Sequence, residues 1–584
     1  MRYSDGLNRL IFRMILPVAQ MTMAMAISLI FQQCANPVSP SGGPRDLDPP
    51  VLVHSVPPLY TTGFDANQIR LTFNEFIELK NINQQLIVSP PMEEPPTFRI
   101  RGKTLLIDLS EPLKEDATYT FYFDDAIVDM TENNPLQGFQ YVLSTGDILD
   151  SLSLEGSIVH AADNKPADRI NIMLYLDNND TIPLDSLPYL VKPYFMTRSG
   201  KDGTFRLRNL PDQSFLLFAL EDVNGSLTYD QPNERIAFHD SLVRPYFIPK
   251  AFIEPVESDT ADQLMPSLPD LRPDPLEMFL FQEKDTVQRL IRASFGKEKQ
   301  LMFVFKLSSP GTTINPLGVD DPGNWYVPER NKTGDTLTLW IKEIPADTVL
   351  FELMDAGLVI DTVRVGMRKG LSSERRKTND PESEAKDPLL ITSVRGAPEL
   401  NQPYHMSFEY PVIQSDPGKI LLIELEDTLQ AHFTFEDVVK RRASISYGWK
   451  ESTAYQIIIP DSTFLDLTGR SNDTIIRHFV TRSLADYGHF FVEITLKNTG
   501  KNHIIQLLQK DVVVREHQLK DDGRVGFEYL NPGGYHLKVI YDDNGNGVWD
   551  TGSYSAREQP ERVTYFPDEI MIRANWDVVE DWEL

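Results

Sequence analysis

Asp202-Gly203-Thr204-Phe205-Arg206-Leu207 and Asp522-Gly523-Arg524-Val525-Gly526-Phe527 are two copies of one stretch. Leu210 then aligns with Leu530, Phe215 with Tyr535, Leu217 with Leu537, Asp222 with Asp542, Asn224-Gly225 with Asn544-Gly545, and Tyr229-Asp230 with Trp549-Asp550. No gap is needed between Asp202 and Asp230. Both copies continue into Gln-Pro, at Gln231-Pro232 and Gln559-Pro560, the second after a longer insertion. An Asp-Gly turn feeding an alternating strand is a hairpin signal. A unit that recurs in register is a structural module. The fold follows: an all-β chain built of sandwiches in series.

Working outward, the rest of the chain has the same texture. Gln68-Ile69-Arg70-Leu71-Thr72-Phe73, Leu105-Leu106-Ile107-Asp108-Leu109 and Tyr119-Thr120-Phe121-Tyr122-Phe123 are strand-length runs bounded by Pro, Gly, Asn or Asp. With 42 prolines and 32 glycines spread along 584 residues, short strands and turns are favoured over helical bundles. That length exceeds one core and implies three to five domains. The expected order is 1–33 leader, 34–48 tether, 49–147 first sandwich, 148–255 first repeat module, 256–367 a further sandwich with its entry linker, 368–388 charged linker, 389–484 another sandwich, and 485–584 the second repeat module. Leu301-Met302-Phe303-Val304-Phe305, Leu337-Thr338-Leu339-Trp340-Ile341 and Glu277-Met278-Phe279-Leu280-Phe281 are the strands expected in 256–367.

The formal charge is −29. Residues 1–33 carry Arg2, Arg9 and Arg13 against Asp5, a sum of +2, so the remainder stands at −31. A field of that sign repels phosphate and excludes nucleic acid as a partner. Cys34 is the sole cysteine, which rules out an internal disulfide and a cysteine-ligated zinc.

The arginines precede an apolar segment, Met14–Phe31, which has the charge order of a secretory signal. The segment resembles a bacterial lipoprotein signal with Cys34 as the acylated residue, although Gln32 and Gln33 stand where small residues are usual. The resemblance implies a diacylglycerol thioether with an amide-linked acyl chain on Cys34. The expected location is the outer membrane, with the lipid holding the chain to either face. Pro37, Ser39, Pro40, Ser41, Gly42, Gly43 and Pro44 read as a flexible tether.

Further resemblances concern the modules. Phe73-Asn74-Glu75-Phe76-Ile77-Glu78, the Tyr119 strand, Asp129 with Asn133, and Ser144-Thr145-Gly146 resemble the bacterial Ig-like domain of surface-layer and envelope proteins. Phe408-Glu409-Tyr410-Pro411, Tyr455-Gln456-Ile457-Ile458, Asp466 with Gly469, and Phe479-Val480-Thr481 echo that order. The repeat modules resemble the transthyretin-like module appended to carboxypeptidases, an accessory unit. Cysteine, Ser-Gly-Gly-Pro tether, Asp48-Pro49-Pro50, Ig-like domain and transthyretin-like module together resemble a Bacteroidota Ig-like-domain lipoprotein family. The family implies a scaffold or accessory role in an outer-membrane assembly, including the β-barrel assembly machinery. Expected partners are outer-membrane β-barrel proteins or other envelope lipoproteins. The alternative from another class is a surface glycan-binding lipoprotein of a polysaccharide-utilisation system, which needs a row of exposed aromatics.

Two loops carry oxygen-bearing side chains at alternate positions. Asp542, Asn544, Asn546 and Asp550 stand at steps 1, 3, 5 and 9 of a calcium-loop pattern, with Gly547 at step 6 and Ser553 at step 12. The first copy has Asp222, Asn224, Ser226 and Asp230, with Leu227 at the glycine step. Calcium is one reading, with Glu558 or Glu561 completing the second loop; a pair of Asx-type turns is the other. The chain lacks Gly-x-Ser-x-Gly, His-Glu-x-x-His and P-loop motifs, and its ten histidines are scattered. No catalytic residues are assigned, and a non-enzymatic protein is expected.

Overall fold

The structure is a computed structural model that describes residues 46–177, 182–247, 274–296, 299–308, 311–319, 324–367, 388–389, 391–393, 396–497 and 499–584. The leader, Cys34, the tether up to residue 45 and the linker 368–387 lie outside the described residues. The chain is all-β and divides into two compact units, one running to Leu149 and the other starting at Asp150, with residues 89–91 grouped in the second.

The first unit is a sandwich. Its larger sheet orders Leu52–Val56, Gln68–Phe73, Thr104–Asp108 and Thr97–Arg101 as antiparallel neighbours. It faces a three-stranded sheet ordered Ile87–Ser89, Thr118–Tyr122 and Gln140–Ser144. Alternation decides the register: Ile69, Leu71 and Phe73 point inward against Leu105, Ile107, Tyr119, Phe121 and Tyr141, while Arg70 faces water.

Asp129 in this unit is fully buried. Its carboxylate accepts N–H groups from Thr131, Glu132, Asn133 and Asn134 at 2.6–3.0 Å. Asn133 takes the left-handed conformation that wraps the backbone round the acid (φ 63°). The second Ig-like sandwich repeats the device. There Asp466 accepts from the backbone N–H groups of Thr468 and Arg470 at 2.8 and 3.0 Å, and Gly469 turns left-handed at φ 77°. The motif Asp129 with Asn133, and Asp466 with Gly469, is therefore a backbone-capping turn.

The second unit holds four sandwiches. In the first repeat module, Thr204–Leu210, Leu152–His160 and Leu276–Leu280 form one sheet; Phe195–Arg198, Asn171–Leu176, Phe215–Glu221 and Arg235–Phe238 form the other. Leu276–Leu280 runs parallel to Leu152–His160 and completes this module, beyond residue 255 where the sequence reading ended it. Gly156 permits the approach, since a Cβ there would lie 2.3 Å from the Leu276 carbonyl oxygen. The second repeat module closes the same way: Asp577–Glu583 runs parallel to Gly488–Thr495, which also pairs with Gly523–Leu530. Between the repeats lie a sandwich spanning Leu290–Gly366, cored by Leu301, Phe303, Leu339 and Phe351, and an Ig-like sandwich spanning Ile391–Val480.

These two inner sandwiches meet at a polar–aromatic joint. Arg441 pairs with Glu329 at 2.8 Å and lies over the Trp340 ring, 4.7 Å from its centroid, while Trp340 Nε1 donates to Glu329 at 2.7 Å. One guanidinium thus satisfies a carboxylate and an indole face from the neighbouring module.

Asp129 has a consequence for stability. Burial alone would raise its pKa, but the main-chain donors outweigh burial and bring it down to about 2. A depressed carboxylate contributes stability above its unfolded pKa near 4, and that contribution is lost as pH falls towards 2. An acid titration followed by far-ultraviolet circular dichroism on the isolated fragment 46–149 is expected to show this loss. Asp129→Asn should flatten the dependence between pH 4 and 2 while lowering stability at pH 7.

Candidate functional site

The repeat modules place their acidic loops at the end of the strand that follows the Asp-Gly hairpin: Phe215–Glu221 in one and Gly533–Asp542 in the other. The two loops fold alike. Asp222 Oδ1 accepts from Gly225 and Ser226, and its Oδ2 from Leu227. Asp542 does the same with Gly545 (2.7 Å), Asn546 (3.1 Å) and Gly547 (3.0 Å). Asn224 Nδ2 donates to Asp230 at 2.9 Å, and Asn544 Nδ2 to Asp550 at 2.6 Å. Each loop then leans on a buried glutamate that the spacing pattern did not single out in the first copy. Glu234 accepts the N–H groups of Val223, Asp230 and Gln231; Glu561 accepts those of Asp543 and Asp550. The signal for this pair was the shared Gln-Pro that precedes each glutamate.

In this structure the side chains of the second loop are engaged in hydrogen bonds within the loop. Both oxygens of Asp542 are turned to backbone N–H groups, Asn544 Oδ1 and Asn546 Oδ1 accept from Asn546 and Val548, and the amide nitrogens of Asn544 and Asn546 face Asp550. Among the described residues no group of three or more His, Cys, Asp or Glu side chains is gathered for a metal. The Asx-turn reading of Asp222, Asn224, Asp230, Asp542, Asn544, Asn546 and Asp550 accounts for the geometry. Burial, followed by repulsion from Asp542 and Asp550, raises the Glu561 pKa.

What the loops position is an interface. The insertion that separates Asp550 from Gln559-Pro560 in the second copy folds into a short hairpin, with Ser553 and Glu558 exchanging backbone hydrogen bonds at 2.8 Å. The hairpin lies against the first repeat module. Tyr554 at its tip is fully buried among Phe218, Phe238 and Tyr189, with ring centroids 5.4–5.6 Å apart. Burial pushes its phenol pKa up. Gly552 passes so close to Phe281 that a Cβ would lie 2.7 Å from the ring.

Polar contacts frame this plug. Thr551 Oγ1 donates to the Gln282 carbonyl at 2.7 Å, across 269 residues of sequence, and Ser555 N donates to Glu283. Gln559 Nε2 donates to the Phe238 carbonyl and to Asp240. Lys538 Nζ donates to the Ala162 carbonyl at 2.6 Å, and Asn164 Nδ2 to the Val563 carbonyl at 2.8 Å. Trp549 packs in this interface, whereas Trp576 is 57% exposed and Trp582 is buried in the core of its own module.

Sequence reasoning missed Tyr554, although a signal existed. Phe215-Leu216-Leu217-Phe218-Ala219-Leu220 does not alternate, and a strand apolar at every position is buried on both faces. Phe215, Leu217 and Ala219 face the module core, while Leu216, Phe218 and Leu220 face Tyr554 and Phe281.

With this geometry established, comparison with known proteins adds one domain-level match. A family profile described as a bacterial Ig-like domain matches residues 46–145. No match is found among curated proteins. Among solved structures, the major pilin subunit BcpA of Bacillus cereus is 10% identical, covering 74% of this chain and 99% of its own at a TM-score of 0.13. A piece of native alpha-2-macroglobulin from Escherichia coli spanning domains MG0-NIE-MG1 is 7% identical over 32% of this chain and 96% of that piece, at 0.16. The S-layer protein rSbsC is 9% identical over 87% and 66%, at 0.13. Similarities this low carry no argument about fold or function. Residues 46–145 thus match a bacterial Ig-like domain, and the role of the chain rests on its own residues.

Two outcomes are expected. Tyr554→Ala should cost about 3–5 kcal/mol, the usual range for deleting a buried aromatic. Hydrogen exchange should accelerate in residues 215–221 and 235–238 of the other module, and Tyr554→Phe should restore protection. Chelation with EDTA followed by millimolar calcium should leave the thermal midpoint of the purified chain within about 1 °C. A calcium-dependent rise of several degrees would return the loops to the cation reading.

Proposed function

We propose that the protein is a non-catalytic envelope lipoprotein that serves as a scaffold or accessory subunit at an outer-membrane barrel, with the β-barrel assembly machinery as the leading host. The observation that carries this reading is the clamp between the repeat modules. A chain whose first and last modules of one unit lock together through a buried tyrosine holds its surfaces at fixed mutual distances, which is what a spacer or scaffold requires. The Cys34 anchor and the tether behind it supply the other half of the argument. Lipid confines the modules to one surface and raises their effective concentration towards barrel partners there. The order of anchor, tether and Ig-like sandwich, with the resemblance to envelope lipoproteins of Bacteroidota, supports the same assignment.

The test is affinity purification of the acylated chain from detergent-solubilised outer membranes. Outer-membrane barrel proteins are expected to co-purify in stoichiometric amounts, and Cys34→Ala should release the chain from the membrane fraction and reduce their recovery at least tenfold. Mass spectrometry of the mature N-terminus should find the acyl chains on Cys34. Recovery of the acylated protein without any barrel would remove the scaffold reading.

A further inference from the structure

The second Ig-like sandwich carries a sheet with two apolar faces. Its order is Asp427–Gln430, Leu421–Glu424, Ala454–Ile459 and Ile475–Val480, all antiparallel. Leu422, Tyr455, Ile457, Ile459 and Phe479 fill the core. The register sets the opposite face residue by residue. Leu421 lies between Gln430 and Ile458, with Ile476 beyond; Ile423 lies between Thr428 and Gln456, with His478 beyond; Ala454 lies beside Val480. Six of these ten positions are aliphatic, and none is Asp, Glu, Lys or Arg. Ile476 is 46% and Val480 62% exposed, and Leu425 in the adjoining turn is 70% exposed.

An antiparallel sheet with one face in water alternates apolar and polar residues. This sheet does not: Leu421-Leu422-Ile423, Ile457-Ile458-Ile459 and Ile475-Ile476 are continuous apolar runs. The same molecule shows what such a run means. Phe215–Leu220 is a longer run of this kind, and its outer face is covered by the Tyr554 hairpin. The outer face of the Ig-like sheet is of the same kind and is exposed.

Size and charge select the occupant. Four strands at about 4.8 Å spacing and roughly five residues of about 3.4 Å each give a face near 19 by 17 Å, or on the order of 300 Å². That is less than half of the roughly 800 Å² per partner typical of a stable protein pair, so this face alone would not hold a second copy. It matches one helix of about 12 residues, some 18 Å long. The strand ends bordering the face carry more exposed acids than bases: Asp416, Asp461 and Asp473 with Lys419 at one end, Glu426, Asp427 and Glu451 with Lys450 at the other, and Arg477 on the edge strand. We propose that this sheet face docks an amphipathic helix of a protein partner, with an aliphatic stripe against Leu421, Ile458, Ile476 and Val480 and basic residues towards the acidic rim. The acidic rim disfavours an anionic lipid surface. The proposal rests on the scaffold reading only in taking the occupant to be a protein.

The experiment measures fluorescence anisotropy of a labelled 18-residue Leu/Lys amphipathic helix titrated with the purified full chain in about 0.15 M salt, where exposed charges more than ~8 Å apart are largely screened. Micromolar binding is expected. The charge-neutral double variant Ile458→Asn/Ile476→Asn should bind at least tenfold more weakly, as should a scrambled peptide of equal composition on the unaltered chain. Leu421→Thr/Val480→Thr serves as the second variant if the first lowers the thermal midpoint by more than a few degrees, with the same expected loss. Equal binding by the folded variants or by the scrambled peptide would overturn the proposal. So would a dimer in sedimentation velocity, or association with phosphatidylcholine vesicles, that the substitutions abolish, because a second copy or lipid would then be the occupant. Unchanged recovery of barrel proteins by the folded variants would overturn it and leave the scaffold reading standing.

Discussion

The second unit depends on a sheet that is apolar on both sides and on the tyrosine that covers its outer side. Phe218, Phe238 and Leu220 would otherwise face water, at a cost of about 25 cal/mol for each Å² left uncovered. Tyr554 removes that exposure from a distance of more than 300 residues, and Gly552 and the Ser553–Glu558 hairpin give it the approach it needs. The clamp joins the outermost sandwiches of the unit, and the Glu329–Arg441–Trp340 joint fixes the inner pair. Hydrophobic burial drives the first contact, while charge-assisted hydrogen bonding orients the second.

Carboxylates, all buried except the half-buried Asp222, recur through the molecule with one purpose. Asp129, Asp466, Asp222, Asp542, Glu234 and Glu561 all accept main-chain N–H groups in turns that would otherwise bury unsatisfied donors. A chain this acidic has many carboxylates available for the task, and with Cys34 its sole cysteine it caps these turns without a disulfide. Duplication of the acidic loop in both repeats follows from its structural role: it fixes the exit of the long central strand, and in the second copy it aims the clamp hairpin.

The proposed scaffold role draws on the joints within the second unit. Fixed joints preserve the spacing between surfaces, and spacing is what a scaffold contributes to an assembly. The uncharged aliphatic face on the second Ig-like sandwich lies on a rigid element, so a partner would bind there without ordering a loop.

Much of the fold was legible in the sequence. Strand-length alternation at Gln68–Phe73 and Tyr119–Phe123, the Asp-Gly hairpins and the gapless register from Asp202 to Asp230 each depend on neighbours within a few residues, and local steric and periodic rules act over that range. The acidic loops were found by spacing, yet spacing alone left calcium and Asx turns open, because ligand geometry and backbone capping use the same alternate oxygens. Other features were decided by tertiary structure. Leu276–Leu280 joined the first repeat as a parallel edge strand, and parallel pairing over more than a hundred residues leaves no mark in either strand's own pattern. Tyr554 lay in an insertion that matched nothing in the first copy. The unbroken run Phe215–Leu220 recorded that its outer face must be covered, but which residue covers it is set by long-range packing, which a linear sequence does not record.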